Sequence, residues 1–151
     1  MMRGLRALLA AERHAVLATL SASRDGWPFA SVAPYALSAD GEPLLLLSDL
    51  AEHTRNVRAD PRASLFVQDG ACTADPQAGC RVTILGQVEP VVDSELAIAR
   101  QAYLARHPQT TEYMTLADFR LYVLRVRTAR YIGGFGDMGW LDAAALRSAA
   151  A

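Results

Sequence analysis

Four consecutive leucines, Leu44 to Leu47, stand between the turn Ala39-Asp40-Gly41 and Ser48. Bounded by turn residues, so short an apolar run reads as a strand. Side chains alternate between the two faces of a strand, so a strand made of leucines has no face suited to water. Both of its faces must be covered.

The segments around it are mostly strands as well. His14 to Leu20 and Phe29 to Leu37 flank the turn residues Ser23-Arg24-Asp25-Gly26 in the manner of a hairpin. Pro34 withholds an amide donor from the second strand, which marks an edge, a bulge or a place where a ligand replaces the neighbouring strand. Ala63 to Gln68, Arg81 to Val91 with a bend at Gly86, and Phe119 to Val126 read as further strands. Helices are expected over Leu5 to Glu12, over Leu50 to Arg58 before Asp60-Pro61, and from a capping Asp93 through Arg106 to the stop at His107-Pro108. Strands outnumber helices and the connections are short, which argues against a doubly wound parallel sheet. The fold class expected is mainly β: a small antiparallel barrel with peripheral helices. No repeat or linker divides the chain, so residues 1–151 are read as one domain, with an N-terminal helix within 1–13 and a tail over 141–151.

Charge and composition narrow the function. Fifteen Lys and Arg against sixteen Asp and Glu leave a net charge of −1, without the basic footprint of a nucleic-acid or membrane-surface binder. The apolar runs are too short to span a membrane, and the basic, apolar start is broken at Glu12-Arg13-His14, too early for a secretory signal. A soluble, cytoplasmic protein is expected, and Cys72 and Cys80 in that setting are expected to stay reduced. His14, His53 and His107 lie far apart, so no local metal cluster is indicated.

Three segments carry candidate chemistry. In SDLAEHTRN, Ser48, His53, Thr54, Arg55 and Asn56 supply hydroxyl, imidazole, guanidinium and amide donors within nine residues, the groups that bind a phosphate monoester. Asp49 and Glu52 have the spacing of a capping box, which would leave side chains rather than helix amides to hold the anion. An ordinary capped helix with solvated polar residues is the alternative. In PFASVAPYAL, the small residues around Ser31, Val32, Ala33, Pro34 and Tyr35 would let a flat ligand lie along the backbone, against the simpler reading of a strand with an edge proline. In RYIGGFGDMGW, a glycine-rich turn presents Phe135 and Trp140 as covers for a planar ring, although its spacing is not that of a dinucleotide fingerprint. A terminal turn packed on the barrel would look the same.

Taken in order, the strings FASVAPYAL, LLLLSDLAEHTRNVRADPRASLFV, CRVTILGQVEPV and RHPQTTEYMTLADFRLYVLRVRTARYIGGFG resemble the pyridoxamine-phosphate-oxidase-like split β-barrels that bind FMN, and among them the HugZ-like, haem-utilising branch. The resemblance covers almost the whole chain. It implies a homodimer with two equivalent cofactor clefts at the subunit interface. It also implies that Ser48, His53, Thr54, Arg55 and Asn56 hold the phosphate of FMN, and that Ser31 to Tyr35 run beside the ribityl chain and ring. Gln68 and the tail with Phe135 and Trp140 would approach the ring from either subunit. After Trp140 the chain has a single arginine, Arg147, which disfavours vitamin B6 oxidation, and its short course past GGFG weighs against haem chemistry.

The leading expectation is therefore an FMN-dependent oxidoreductase acting on a small molecule, with no catalytic side chain assigned. A deazaflavin is an alternative cofactor. The competing functions are haem binding or breakdown, with His107 as iron ligand, and a flavin-binding module without turnover.

Overall fold

The computed structural model describes residues 1–72, 74–134 and 136–150. Seven strands run in the order β3-β2-β1-β4-β5-β6-β7, all antiparallel, where β1 is His14–Leu20, β2 Pro28–Leu37, β3 Pro43–Ser48, β4 Arg62–Gln68, β5 Arg81–Pro90, β6 Phe119–Ile132 and β7 Met138–Asp142. A further pairing of β3 with β6 closes the first six into a barrel, with β7 added to β6. The antiparallel barrel with peripheral helices expected from the sequence is the fold observed.

The leucine run explains itself. Leu45 and Leu47 belong to the barrel interior, where they meet Leu17, Tyr35, Leu65, Ile84 and Leu124. Leu44 and Leu46 face outward and are covered by α3 (Asp93–Arg106), in a separate cluster with Ala36, Ala99, Tyr103 and Val123. One strand thus joins two cores.

Helices add further side chains to the interior cluster. Leu5, Leu8 and Leu9 of α1 (Met2–Ala11) and Leu146 of α5 (Ala143–Ala150) pack into the barrel cluster. Val57 comes from α2 (Glu52–Ala59), which follows β3 directly. The short α4 (Thr111–Met114) leads into β6.

The barrel is split because β3 is short. It pairs with β2 only at Tyr35–Leu37 and with β6 only at Phe119–Val123. Beyond its Pro43 end, β7 takes over the edge of β6 from Thr128 to Ile132. Beyond its Ser48 end, no strand among the described residues pairs the outer edge of β2 from Pro28 to Pro34. Pro34 marks the last residue of that open edge, as a missing donor predicts.

Several expected boundaries differ. The β6 strand runs six residues past Val126, and β7 forms where a loose glycine-rich tail was expected. Cross-strand pairing supplied those elements, which local turn propensity does not encode. The helix caps differ as well: α3 is preceded by Val92, with Asp93 already inside the helix, and α2 is preceded by Ala51, with no side-chain cap on either.

Candidate functional site

The open edge of β2 and the start of α2 meet. Ser31 Oγ lies 3.0 Å from His53 Nδ1, which brings together two of the residues picked out by sequence. Burial lowers the His53 pKa below its ordinary 6.5, which favours the neutral imidazole. Arg55, in the same helix, has a side chain 61% exposed, and among the described residues its ion pair is a long one of 3.6 Å to Glu52.

The rest of the expected phosphate grip is otherwise engaged. Thr54 is fully buried and donates its hydroxyl proton to the Ser48 carbonyl at 2.6 Å. Asn56 is also fully buried; its amide donates to Thr19 Oγ1 at 3.0 Å, and its carbonyl oxygen accepts from the Ala22 N–H at 2.9 Å. These two side chains fasten α2 to β3, β1 and the β1–β2 turn, and neither presents a free donor to a ligand. Ser48 Oγ is bonded to Asp118 at 3.2 Å and accepts from the Leu50 N–H. A carboxylate beside that hydroxyl disfavours a phosphate there.

The expected capping box does not form. Asp49 lies before the helix and pairs instead with Arg58 and Arg120, while Glu52 accepts from Ser23 Oγ at 2.8 Å. The first amides of α2 are therefore uncapped by side chains. The side-chain capping that the sequence reading expected is absent.

The β2 segment also departs from expectation. Its side chains alternate, so Ser31, Ala33 and Tyr35 turn inward whereas Val32 and Pro34 turn outward. Tyr35 is fully buried and its hydroxyl donates to the Leu9 carbonyl at 2.9 Å; burial raises its pKa well above the ordinary 10. Ala33 is likewise enclosed. Five consecutive side chains cannot all face one flat ligand.

On the outer face a different grouping emerges. Val16 pairs with Val32 on one side and with Phe66 on the other, forming an apolar row across β2, β1 and β4. In the next row His14 pairs with Pro34, and Gln68 lies two residues beyond Phe66. His14, Val16, Phe66, Gln68 and Cys72 line one hollow of about 310 Å³. Sequence reasoning named Val32, Pro34 and Gln68 but missed His14, Val16 and Phe66; the period-2 exposure of β1 was the available signal.

The histidines now separate by environment. His107 is 2% exposed and its Nε2 lies 2.7 Å from the Tyr35 carbonyl, with the ring against Tyr103, so it serves the packing of α3 and is closed to an iron atom. The expectation of His107 as a haem ligand fails for that reason. His53 is committed to Ser31, and His14 is exposed.

Of the expected ring covers, Phe135 lies outside the described residues. Trp140 is on β7, 60% exposed, with the Arg130 guanidinium 5.9 Å from its ring centre. It stands past the Pro43 end of β3 whereas Ser31 stands past the Ser48 end, so the two do not meet within one chain. Cys72 and Cys80 are free thiols. Among the described residues, no three His, Cys, Asp or Glu side chains gather to hold a metal ion, and no helix is long and apolar enough to cross a membrane.

A closed six-stranded antiparallel barrel, split at one strand edge and extended by a seventh strand, defines a protein of the pyridoxamine-phosphate-oxidase-like split-barrel class. The family described as CREG, beta-barrel matches residues 3–146, and the chain belongs to that family. It is 32% identical over 130 residues to the chloroplast haem oxygenase HOZ of Arabidopsis thaliana, covering 86% of this chain and 39% of that protein. It is 29% identical over 135 residues to the protein CREG1 of Mus musculus, covering 78% of this chain and 61% of the other. Among solved structures, the heme binding protein of Mycobacterium smegmatis superposes with a TM-score of 0.89 at 37% identity, over 97% of this chain and 60% of that one. The chain thus spans between 39% and 61% of these relatives' own lengths.

Proposed function

We propose that this protein binds haem on the outer face of β2, β1 and β4, with His14 as iron ligand. The carrying observation is that His14, the exposed histidine, borders the apolar row Val32, Val16 and Phe66, a flat wall suited to a planar macrocycle. The haem-binding and haem-oxygenase names of two relatives support the same ligand. This ranks haem above FMN, the reverse of the order expected from the sequence.

Haem, when bound, supplies iron redox and oxygen chemistry. This chain's residues bind and orient: the row of Val32, Val16 and Phe66 excludes water from one ring face, and Gln68 offers an amide at the rim. A second copy across the wall would cover the other face, giving a homodimer with two equivalent clefts. By likeness to HOZ, we extend the proposal to oxidative opening of the bound macrocycle.

Haem titration tests this reading through a saturable Soret band, which His14→Ala should shift or abolish. A protein that leaves the haem spectrum unchanged would overturn it. Ascorbate added in air then tests turnover by loss of that band and growth of open-chain tetrapyrrole absorbance.

The second reading is FMN. It is favoured by the uncapped start of α2 beside exposed Arg55 and the Ser31–His53 pair, a setting that suits a phosphate. Retention of FMN fluorescence through gel filtration would support it.

A further inference from the structure

Ser31 and His53 stand apart from the haem wall. Side chains alternate along β2, so Phe29, Ser31 and Ala33 lie on its inner side, opposite to the side of Val32 and Pro34 that a second copy would cover. Both members of the pair stay partly exposed, because β3 stops short and no strand among the described residues lies beside the edge of β2 from Pro28 to Pro34. A serine hydroxyl 3.0 Å from an imidazole nitrogen has the reach of a nucleophile and its general base. Burial favours the neutral ring, the form that accepts a proton.

Two further features belong to the pair. The base is held by its helix: His53 sits in the first turn of α2, and Thr54 and Asn56 fasten that helix to β3, β1 and the β1–β2 turn. The nucleophile has a backbone donor beside it. The Tyr35 N–H donates to the Arg13 carbonyl on the β1 side. Amides alternate in direction along a strand in an antiparallel ladder, so the N–H of Val32 points to the open edge. An N–H on the residue after a nucleophilic serine is an oxyanion donor in hydrolases.

We propose that Ser31 and His53 form a catalytic dyad that cleaves small aryl esters, with the Val32 N–H as oxyanion donor. With the ring proton on Nε2, Ser31 Oγ attacks the ester carbonyl carbon and its proton passes to His53 Nδ1, while the carbonyl electron pair moves onto the oxygen that faces Val32. On collapse the bond to the phenol oxygen breaks, and the leaving phenolate takes the proton from His53. Water, deprotonated by the same nitrogen, then releases the carboxylic acid and restores Ser31. Among the described residues no carboxylate is bonded to His53. The substrate class is therefore an ester with a good leaving group rather than an amide, whose nitrogen must be protonated by a firmly oriented imidazolium before it leaves.

The probe is p-nitrophenyl acetate. The purified protein should release p-nitrophenolate faster than buffer does, and peptide mapping after acid quench should find the acetyl group on Ser31. The chain contains no lysine, which removes the commonest competing amine. Ser31→Ala and His53→Gln should each slow acetylation at least about a hundredfold, the lower range of general-base catalysis. Ser31→Cys, which keeps a nucleophile beside the same base, should still be acetylated at that position. Circular dichroism confirms that each variant is folded. Release no faster than in buffer, an acetyl group found only on other residues, or an unchanged rate in folded Ser31→Ala or His53→Gln would overturn the proposal.

Discussion

Ser31 Oγ and His53 Nδ1, 3.0 Å apart, join the open edge of β2 to the first turn of α2. Because burial lowers the His53 pKa from 6.5, the unfolded chain takes up a proton at a higher pH than the folded one. This histidine's contribution to stability is therefore complete above pH 6.5, falls as pH drops through that value, and is lost below the depressed folded pKa. Thermal melts from pH 8 to pH 5 should show a steeper decline for the parent than for His53→Gln. Parallel profiles would refute the assignment.

The two neighbours Arg55 and Asn56 should behave oppositely. Asn56→Ala removes the donor to Thr19 Oγ1 and the acceptor of the Ala22 N–H from a buried position and should lower stability by about 2–3 kcal/mol. Arg55→Ala removes an exposed, long ion pair, so stability should change by less than about 1 kcal/mol. If α2 holds FMN, Arg55→Ala should weaken its binding about tenfold. Urea unfolding and FMN titration on both variants separate the roles.

His14 and His107 make a second contrast. His107→Ala breaks a buried bond to the Tyr35 carbonyl and opens space beside Tyr103, at a cost of about 1–3 kcal/mol, yet should leave the haem spectrum intact. His14→Ala should do the reverse. A lost Soret band in a folded His107→Ala protein would contradict the buried, structural role.

Gly86→Ala tests the β-bulge between β5 and β6, where the register slips after Leu85. The added methyl meets the Arg125 carbonyl, so β5 or β6 must shift, with an expected destabilisation of about 1–3 kcal/mol. For a chain of this size the melting temperature should fall by about 2–4 °C for each kcal/mol.

Much of the barrel was legible because its signals are local. The leucine run demanded two covered faces, and α3 and the interior supply them. Pro34 announced an edge and lies on one. The site was read less well because donor identity says nothing of direction. Thr54 and Asn56 have the right chemistry for phosphate but spend it on the backbone and Thr19. Asp49 and Glu52 have capping-box spacing, yet arginines brought by α2 and β6 claim Asp49. His14 escaped notice because its neighbours on the wall, Val32 and Phe66, come from different strands.

The β6 strand touches β5 along one edge and shares its other edge between β3 and β7. It is the barrel's seam, and it is synthesised after every other stave. A nascent chain that has reached only α4 exposes the unmatched margins of β3 and β5, separated by long stretches of sequence, so closure waits on distant contacts. During that interval the leucine-rich third strand is an adhesive surface, and the ribosome-bound intermediate is where substitutions in β6 should first reveal themselves, as aggregation before any loss of ligand.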